Sequence, residues 1–387
     1  MKIIRSKKMN DTISWLTVLC YLSLKEQEYI GNPIDMFGVQ GITDHFVKYA
    51  IKKSEHNYPF RLTENRVPAS LLLELYAPDF LTDCGDVNKG MLLLKNIVKD
   101  CVYLSTDKLE KDPYIANISF PSVNVGDFNF TQGILTKYDL FVLDNKYADD
   151  PFGCIQIPVV ACMDRDYCYP ILKEKEHVWM SIAPNEISTM QNEISLAAGN
   201  VLTFGLGLGY FPYIVSRKVN VSHVTVVEKS DTIADLFEEY LLPQMETKEK
   251  ITIIRQDAFD YLHDIQDGVF DTCFSDIWVS SDDVDTYLKL KFGCGKLTET
   301  KTSFWIEHRF LSLLSLIFIQ MVLFEYIGSS IIDLNFIEKT YPYAFHVIQN
   351  LTDEVIFSEG SEIMNFISPG NIERLLQKKA TENFCII

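Results

Sequence analysis

The segment from Val201 to Pro212 has the composition of a strand that ends beside a ligand. It reads Val-Leu-Thr-Phe-Gly-Leu-Gly-Leu-Gly-Tyr-Phe-Pro, so an apolar run is followed by glycines at alternate positions, Gly205, Gly207 and Gly209. Glycine suits a turn that needs positive φ angles or a close approach of backbone to ligand, because it has no Cβ. Pro212 fits the first turn of a following helix, where its missing N–H costs nothing.

Acidic residues follow three further strand-like runs. They are Glu228 after residues 224–227, Asp257 after residues 251–254, and Asp276 after residues 272–275. Parallel sheets bind ligands beyond the carboxyl ends of their strands, so these side chains and the glycine turn are expected at one edge. A carboxylate placed like Glu228 suits the hydroxyl groups of a ribose. The set predicts a nucleoside-containing cofactor whose polar tail lies near the glycines.

The elements that must position these residues alternate between strand and helix from about residue 186. Alternation at this spacing predicts a parallel sheet with right-handed crossovers. The predicted strands are Val201–Phe204, Val224–Val227, Ile251–Ile254 and Thr272–Ser275. The predicted helices are Glu186–Ala198, Phe211–Arg217, Ile233–Leu242 and Phe259–Ile265.

Two regions precede this α/β segment. Residues 1–100 are predicted to be mainly helical, with apolar clusters that prolines punctuate. Residues 101–185 are rich in aromatic and β-branched residues and predict a small antiparallel β region, with strands at 138–144, 155–160 and 177–182. The sequence thus predicts regions 1–100, 101–185 and 186–387.

The spacing of the glycines excludes two common nucleotide motifs. In the pattern Gly-x-Gly-x-x-Gly the third glycine would fall at position 210 or 212, but Tyr210 and Pro212 stand there. A P-loop is excluded as well, because no Gly-Lys-Ser/Thr follows the turn. An oxidoreductase with a dinucleotide cofactor therefore ranks last among the functions considered.

Residues 186–290 resemble a class I S-adenosylmethionine-dependent methyltransferase, and within that superfamily they are most similar to the branch related to spermidine synthase. The resemblance implies a Rossmann-like, doubly wound, mostly parallel sheet. The β segment ending in Trp179–Glu186 also looks like the N-terminal β segment of aminopropyltransferases, whereas residues 1–100 match no family. The segments that carry the resemblance are 201–209, 224–231, 251–258 and 270–278.

The resemblance implies roles for the strand-end residues and S-adenosylmethionine as the cofactor. The glycines would accommodate its methionine part, and Glu228 would accept hydrogen bonds from both ribose hydroxyls. Asp257 would meet the adenine amino group with Ala258 beside the ring. Asp276 would lie next to the sulfonium and orient or deprotonate the nucleophile. Trp278 has two interpretations of equal weight, an aromatic wall near the cation and core packing.

Two positions depart from the families' patterns. Thr203 stands two residues before the first glycine, where many methyltransferases carry an acid and spermidine synthases often do not. Aminopropyltransferases carry Asp-x-x-Asp-Pro at the fourth strand end, and their second Asp takes a proton from the attacking amine. Val279 occupies that position here and no proline follows. Methyl transfer demands less, since the sulfonium already activates the methyl group and alignment and desolvation supply much of the rate.

Several polar residues near these segments have both a functional and a structural interpretation. The acids after the fourth strand are read as a solvated helix start, and the alternative is that Asp282 or Asp283 reaches in as the missing base. The lysines are read as surface residues, with an acceptor-lining role for them and for Tyr287 as the alternative. A lid role is the weaker interpretation of the residues before the first motif. The residues are Asp282, Asp283, Asp285, Tyr287, Lys289 and Lys291 after the fourth strand, and His177, Glu186 and Gln191 before the first motif.

Composition limits the partners. The 387 residues carry a formal net charge of −18, which disfavours nucleic acid as a bulk partner because phosphate binding needs clustered Lys and Arg. The nine scattered cysteines include no Cys-x-x-Cys pair, so a reducing cytoplasm is expected, without a disulfide framework or thiolate zinc site. The histidines show no metal spacing, and no metal is predicted. A homodimer is compatible with the sequence.

Two apolar stretches bear on membrane association. Residues 13–24 are read as an amphipathic core helix rather than a signal peptide, since no small-residue cleavage site follows. Residues 310–325 are strongly apolar, but Gln320 and Glu325 interrupt them and the run falls short of a span of roughly 20 residues. A buried helix packed on a sheet is predicted there, with a membrane span as the minority alternative.

The leading hypothesis is therefore a cytoplasmic S-adenosylmethionine-dependent methyltransferase that acts on a small molecule or a protein. An aminopropyltransferase is the second, and the residue at position 279 counts against it. A methyltransferase-like scaffold that binds a partner without turnover is the third. The sequence does not identify the acceptor, the methylated atom or the role of residues 1–100.

Overall fold

The computed structural model describes residues 1–14, 16–17, 102–121, 123–137, 140–147 and 156–382. The predicted helical N-terminal region falls largely on residues 18–101, which lie outside this set. The chain divides into two compact units. Unit 1 comprises Met1–Lys25, Tyr147–Gln156 and Asn192–Ile387, and unit 2 comprises Glu26–Lys146 and Ile157–Gln191.

The described strands and helices are numbered here in chain order. The strands are β1 (Lys2–Ile3), β2 (Val102–Leu104), β3 (Asn124–Val125), β4 (Phe128–Leu135), β5 (Leu140–Tyr147), β6 (Gln156–Met163), β7 (Tyr167–Glu174), β8 (His177–Ser181), β9 (Gly199–Phe204), β10 (Val221–Glu228), β11 (Ile251–Arg255), β12 (Thr272–Ser275), β13 (Lys301–Phe304) and β14 (Ile356–Phe357). The α-helices are α1 (Thr106–Leu109), α2 (Pro113–Asn117), α3 (Pro184–Thr189), α4 (Gln191–Leu196), α5 (Tyr210–Ser216), α6 (Asp231–Leu236), α7 (Ala258–Asp264), α8 (Val284–Gly293), α9 (Glu307–Ile327), α10 (Leu334–Thr340), α11 (Pro342–Thr352), α12 (Gly360–Ile367) and α13 (Pro369–Glu382).

A five-stranded parallel sheet forms the centre of unit 1. Its strand order is β11-β10-β9-β12-β13, and every neighbouring pair is parallel. The first strand of the series, β9, lies in the middle, so the connections run outward in both directions and the order reverses there. The region has the α/β, Rossmann-like, doubly wound architecture that the sequence predicts. A crevice at such a reversal, beyond the carboxyl ends of the strands, is where open α/β sheets bind ligands.

Helices cover both faces of this sheet because successive strand side chains point to opposite sides. On one face, Phe274 of β12 stacks on Phe211 of α5 with ring centroids 4.1 Å apart. On the other face, Leu202, Phe204 and Cys273 join a buried cluster with residues of α7, α8 and α9. Strands buried on both sides explain why the sequence shows short continuous apolar runs rather than alternation.

The C-terminal part of unit 1 is a helical layer that includes the first residues of the chain. Residues 7–14 and 16–17 are helical, and Ile13 and Leu16 are buried in the same cluster as α9. Strand β1 pairs in parallel with β14. The Tyr326 hydroxyl donates a hydrogen bond of 2.6 Å to the Asn10 side chain. The described part of the 13–24 segment is thus a core helix, as the sequence predicts.

Unit 2 contains the β-rich region. A four-stranded sheet of order β3-β4-β7-β8 is antiparallel throughout. A second sheet of order β2-β6-β5 contains a parallel pair, β2 with β6. The sequence predicts an antiparallel region. The larger sheet confirms this prediction, but the parallel pair of β2 and β6 was not predicted. The prediction also misses β4 and β7, whose mixture of polar and apolar residues gives no clear alternation.

The long apolar helix α9 is a core element of unit 1. By length and composition it is the one helix among the described residues that could cross a membrane, and 61% of its apolar window is buried. Its apolar surface extends around the helix because α10, α11, α12, α13 and the N-terminal residues pack around it. Glu325 is exposed near its end, whereas Gln320 is buried.

Gln320 has a structural role that the sequence does not reveal. Its side-chain oxygen accepts hydrogen bonds from the backbone N–H groups of Ile331 and Ile332, at 2.9 and 3.0 Å. These amides belong to the connection between α9 and α10. The buried side chain of Gln320 therefore holds the connection between α9 and α10 against helix α9.

We expect Gln320→Leu to lower the free energy of unfolding by about 2–4 kcal/mol, because it leaves two backbone donors without this acceptor. Urea titration followed by circular dichroism measures the loss. Gln349→Leu is the matched control, since Gln349 is exposed on α11 and its replacement should change stability by no more than about 0.5 kcal/mol. Equal stabilities for the two variants would contradict the assigned role.

Candidate functional site

The loop after β9 contains the glycine turn, and its three glycines all adopt φ angles that favour glycine. The values are +93° at Gly205, +54° at Gly207 and +77° at Gly209. A Cβ on Gly205 would overlap the carbonyl oxygen of Asp276, and one on Gly209 would overlap the ring of Phe237. The turn thus requires glycine both for its backbone conformation and for its close contacts.

Glu228 holds the turn from the neighbouring strand β10. One carboxylate oxygen accepts the Leu206 N–H at 3.0 Å, and the other accepts the Ser230 N–H at 2.7 Å. A carboxylate offers about four lone-pair sites, and Glu228 is only partly buried. The side chain therefore orders the glycine turn and retains capacity to accept bonds from a ligand. Its predicted contact with ribose stays a prediction.

Asp257 follows β11 and caps α7. Its Oδ1 accepts the Phe259 N–H at 2.8 Å, and its Oδ2 forms an ion pair with Lys229 at 2.8 Å. The Lys229 ammonium group is the main cause that lowers the pKa of Asp257. Ala258, the first residue of α7, is 7% exposed. Asp257 thus has a structural role as the cap of α7, and its contact with adenine stays a prediction.

Asp276 follows β12, the strand on the other side of β9. Its backbone N–H donates to Phe204 at 2.8 Å, and its carbonyl lies against Gly205. The side chain is partly buried. Thr203, two residues before the first glycine of the turn, is buried, with its hydroxyl oxygen 3.5 Å from the Gly205 carbonyl oxygen. The threonine faces the turn from inside the sheet.

Four strand ends thus meet around the glycine turn. The structure brings together the turn, Glu228, Asp257 and Asp276 at the carboxyl edge, since β11, β10, β9 and β12 are consecutive neighbours. This arrangement presents the backbone of the turn and several carboxylate acceptors. It is suited to binding a polar ligand that carries hydroxyl and amino donors. No group of metal-ligating side chains occurs among the residues that the structure describes.

Trp278 lies in the core and not at an open surface. The residue is 6% exposed, and its ring meets Phe310 edge-on at 5.1 Å and Tyr287 edge-on at 6.1 Å. Of the two interpretations of the sequence, core packing describes this environment, and the role of an aromatic wall beside a cation does not. The tryptophan anchors the loop that carries Asp276 to helices α8 and α9.

A buried ion pair lies beside this aromatic cluster. The ammonium group of Lys291 and the hydroxyl of Tyr287 both donate to Oε1 of Glu307, at 2.5 and 2.7 Å. Lys291 is 9% exposed, so the predicted surface position is wrong for this lysine and right for Lys289, which is exposed. Glu307 is the acidic partner that compensates for the burial of Lys291. It lies 16 positions further along the chain, so a local sequence pattern does not identify it.

The acids after β12 have structural partners. Asp283 accepts the N–H groups of Val279 and Ser280, at 2.8 and 3.3 Å, in a capping box. Asp282 accepts the Tyr341 hydroxyl at 3.1 Å. Asp285 accepts the first free N–H groups of α11, those of residues 343 and 344. Asp283 therefore agrees with the interpretation of the acids as a helix start, whereas Asp282 and Asp285 contact Tyr341 and the start of α11.

Glu186 of unit 2 has a carboxyl group in an unusual environment. Oε1 accepts the Ser181 hydroxyl at 2.7 Å, while Oε2 is buried and has no hydrogen-bond partner. Burial raises the pKa of Glu186 to about 7, although the bonds from Ser181 partly oppose the rise. The other residues considered for a lid are surface residues, since His177 and Gln191 are exposed. None of these observations tests a lid.

Sequence reasoning missed the contacts that hold the site together. The hydrogen bond from the Leu206 N–H to Glu228 joins the ends of two strands, and no sequence pattern encodes it. Ser230 caps α6 by accepting the Ile233 N–H at 3.3 Å. The sequence Glu-Lys-Ser-Asp at 228–231 contained that signal, because Ser followed by an acid marks a helix start.

We expect Gly205→Ala to lower the free energy of unfolding by about 2–4 kcal/mol, because alanine is strained at this φ angle and its Cβ would overlap the Asp276 carbonyl. Thermal and urea unfolding measure the effect. Gly370→Ala is the matched control, since nothing lies within 4 Å of a Cβ at that position in α13. The control should be unchanged or slightly more stable. A parent-like Gly205→Ala variant would contradict the geometry of the turn.

Glu186 predicts a pH dependence of stability. Its folded-state pKa, about 7, is above the ordinary value of 4.5, so its contribution is full below about pH 4.5 and is lost as the pH rises to about 7. Between pH 4 and pH 8 the parent should therefore lose about 3 kcal/mol relative to Glu186→Gln, whose amide does not titrate. Urea titrations at both pH values measure this difference. Glu176→Gln, at an exposed turn position, is the control and should show no such divergence.

No protein-family model and no curated protein sequence matches this chain. Among solved structures, the spermidine synthase from Thermotoga maritima is similar over 46% of this chain and 69% of its own, with 12% identity and a TM-score of 0.29. A spermidine synthase in complex with the transition state analogue AdoDATO matches over 45% of this chain and 62% of its own, with 13% identity and a TM-score of 0.28. A putative O-methyltransferase from Klebsiella pneumoniae matches over 29% and 50%, with 18% identity and a TM-score of 0.22. At such values the likenesses do not indicate which reaction this chain performs.

Proposed function

We propose that this chain is an S-adenosylmethionine-dependent methyltransferase that acts on a small molecule or a protein. The observation that carries the proposal is the glycine turn, whose three residues have positive φ angles and which Glu228 holds through the Leu206 N–H. The turn lies where the strand order reverses, the usual ligand position in an open α/β sheet. The sequence resemblance of residues 186–290 to class I methyltransferases supports the same cofactor.

The residues at the carboxyl edge fit the parts of this cofactor. Glu228 has acceptor capacity left for the two ribose hydroxyls after its two backbone bonds. Gly205 and Gly207 are proposed to border the methionine part, because a backbone without Cβ atoms can approach a ligand closely. Asp257 is ionised and can accept a bond from the adenine amino group, with Ala258 beside the base.

Catalysis in this proposal needs little covalent chemistry from the protein. The cofactor supplies a methyl group that its sulfonium already activates. The protein's residues then align the acceptor, exclude water and receive a proton where the acceptor carries one. Asp276 is the residue proposed for that last role, since it follows β12 and its backbone borders the glycine turn. Trp278 is proposed as the anchor of the Asp276 loop, not as a wall of the acceptor site.

Methyl transfer is favoured over aminopropyl transfer by the residues after β12. Val279 stands where the amine-deprotonating acid of aminopropyltransferases is expected, and its side chain is 80% exposed. The nearby Asp282 and Asp283 are engaged with Tyr341 and with backbone N–H groups. An aminopropyltransferase would prefer decarboxylated S-adenosylmethionine, so comparing the two donors in one binding assay separates the hypotheses.

The acceptor is proposed to be a small molecule or a protein because of charge. A net charge of −18 opposes binding to a phosphate backbone. The third hypothesis, a scaffold that binds the cofactor without turnover, makes a distinct prediction. Tight cofactor binding with no transfer across a broad panel of small-molecule and protein acceptors would favour it over an enzyme.

We expect the parent protein to bind S-adenosylhomocysteine in isothermal titration calorimetry and Glu228→Gln to bind it about ten- to a hundredfold more weakly. Glutamine lacks the charge and the second acceptor oxygen that ribose hydroxyls would use. Glu249→Gln is the control, because Glu249 is exposed before β11, and it should bind like the parent. Circular dichroism verifies that the variants are folded. Absence of binding by the folded parent to both S-adenosylmethionine and S-adenosylhomocysteine would overturn the proposed function.

A further inference from the structure

Lys229 occupies a position between the two strand ends that the proposed function assigns to the nucleoside. It follows Glu228 at the end of β10, and its ammonium group reaches across to Oδ2 of Asp257 after β11. The two strands are neighbours in register, with Glu228 opposite Arg255. The lysine side chain therefore crosses the edge of the sheet where the ribose and the base would lie side by side.

Each carboxylate oxygen of Asp257 has a partner without a ligand. Oδ1 accepts the Phe259 N–H as the cap of α7. The cap has to persist if the helix is to keep its first turn. Oδ2 is then the oxygen available to a base, and in this structure the ammonium group of Lys229 holds it at 2.8 Å.

Stability alone does not account for this ion pair. The Lys229 side chain is 78% exposed and that of Asp257 is 27% exposed. Exposed pairs contribute little because water screens them and the long side chain loses freedom. Arg255 on the same strand has carboxylate partners of its own on α6 and the turn after it, at Asp235 and Glu238, and no bond from Arg255 to Asp257 is observed.

We infer that Lys229 is a gate of the nucleoside site, which holds Asp257 in the free protein and has to be displaced by a base with an exocyclic amino group. The inference rests on the proposed function. An amino group is a donor and can replace the ammonium group on Oδ2, whereas a carbonyl at the same position of the base is an acceptor and is repelled by the carboxylate. The gate therefore weakens the binding of adenine nucleosides and does not weaken that of their oxo counterparts.

The competition between Lys229 and the base for Oδ2 of Asp257 predicts the direction of two changes in ligand affinity. Removing the lysine frees Oδ2, so an adenine nucleoside should bind more tightly to the variant than to the parent. Salt weakens an exposed ion pair, so the affinity of the parent for an uncharged base should rise with ionic strength. The variant without the lysine should lose most of that dependence. A lysine that instead assisted binding would give the opposite sign in both measurements.

The test is calorimetry of the full chain with S-adenosylhomocysteine and with its inosine counterpart, S-inosylhomocysteine, at low and high salt. Lys229→Met should bind the adenosine ligand about two- to fivefold more tightly, the range expected for an exposed ion pair. It should show no gain with the inosine ligand. Asp257→Asn keeps an N-cap residue and should lose the preference between the two ligands. Lys301→Met is the charge-matched control, since Lys301 is exposed at the start of β13, the opposite edge of the sheet.

The outcomes separate this inference from the function on which it rests. Unchanged or weaker binding of S-adenosylhomocysteine by Lys229→Met overturns the gate, and so does an equal gain with both ligands. In either case the parent still binds and the proposed function stands. Failure of the folded parent to bind S-adenosylhomocysteine overturns the proposed function and the gate together.

Discussion

The contact between Gly205 and the backbone of Asp276 is the constraint on which the site depends. Strands β9 and β12 are adjacent and parallel, so the chain leaving each one competes for the same space above the sheet. The conflict is resolved because one of the two chains has no side chain there and adopts a φ angle of +93°. The two loops can then pass at backbone distance. The carboxylate of Glu228, at the end of the neighbouring strand β10, also fixes the turn, because it accepts the Leu206 N–H.

Buried polar groups mark the places where tertiary structure overrides local pattern. Lys291, Gln320 and Glu186 each bury a polar or charged group, and each does so with a different degree of compensation. Lys291 has an acidic partner, and Gln320 accepts two hydrogen bonds from backbone N–H groups. One carboxylate oxygen of Glu186 has no hydrogen-bond partner. An uncompensated group shifts its pKa rather than remaining charged. Burial accordingly raises the pKa of Glu186.

The sequence predicts four strands of the parallel sheet, β9 to β12, because they contain short apolar runs bounded by glycine or acidic residues. The run Thr272–Ser275 coincides with β12, and the positive φ angles follow from glycine itself. The segment 186–198 was predicted as one helix, but it forms α3 and α4, which are separated at Met190. Strand β13 was missed because Lys301–Phe304 carries a single fully buried side chain. Contacts such as that of Lys229 with Asp257 depend on strand order, which no local pattern contains.

The pairing of β1 with β14 has a consequence for how the chain acquires its structure. It joins residues 2–3 to residues 356–357, two segments that are far apart in the sequence. Contacts over such a separation carry a large loop-closure entropy and form late. Until then the apolar side chains of the helical residues 7–14, which lie in the same cluster as α9, have no core to enter, and a chain that exposes such a surface is open to aggregation and to binding by chaperones. The pairing of β1 with β14 is therefore expected to form late in the folding of unit 1.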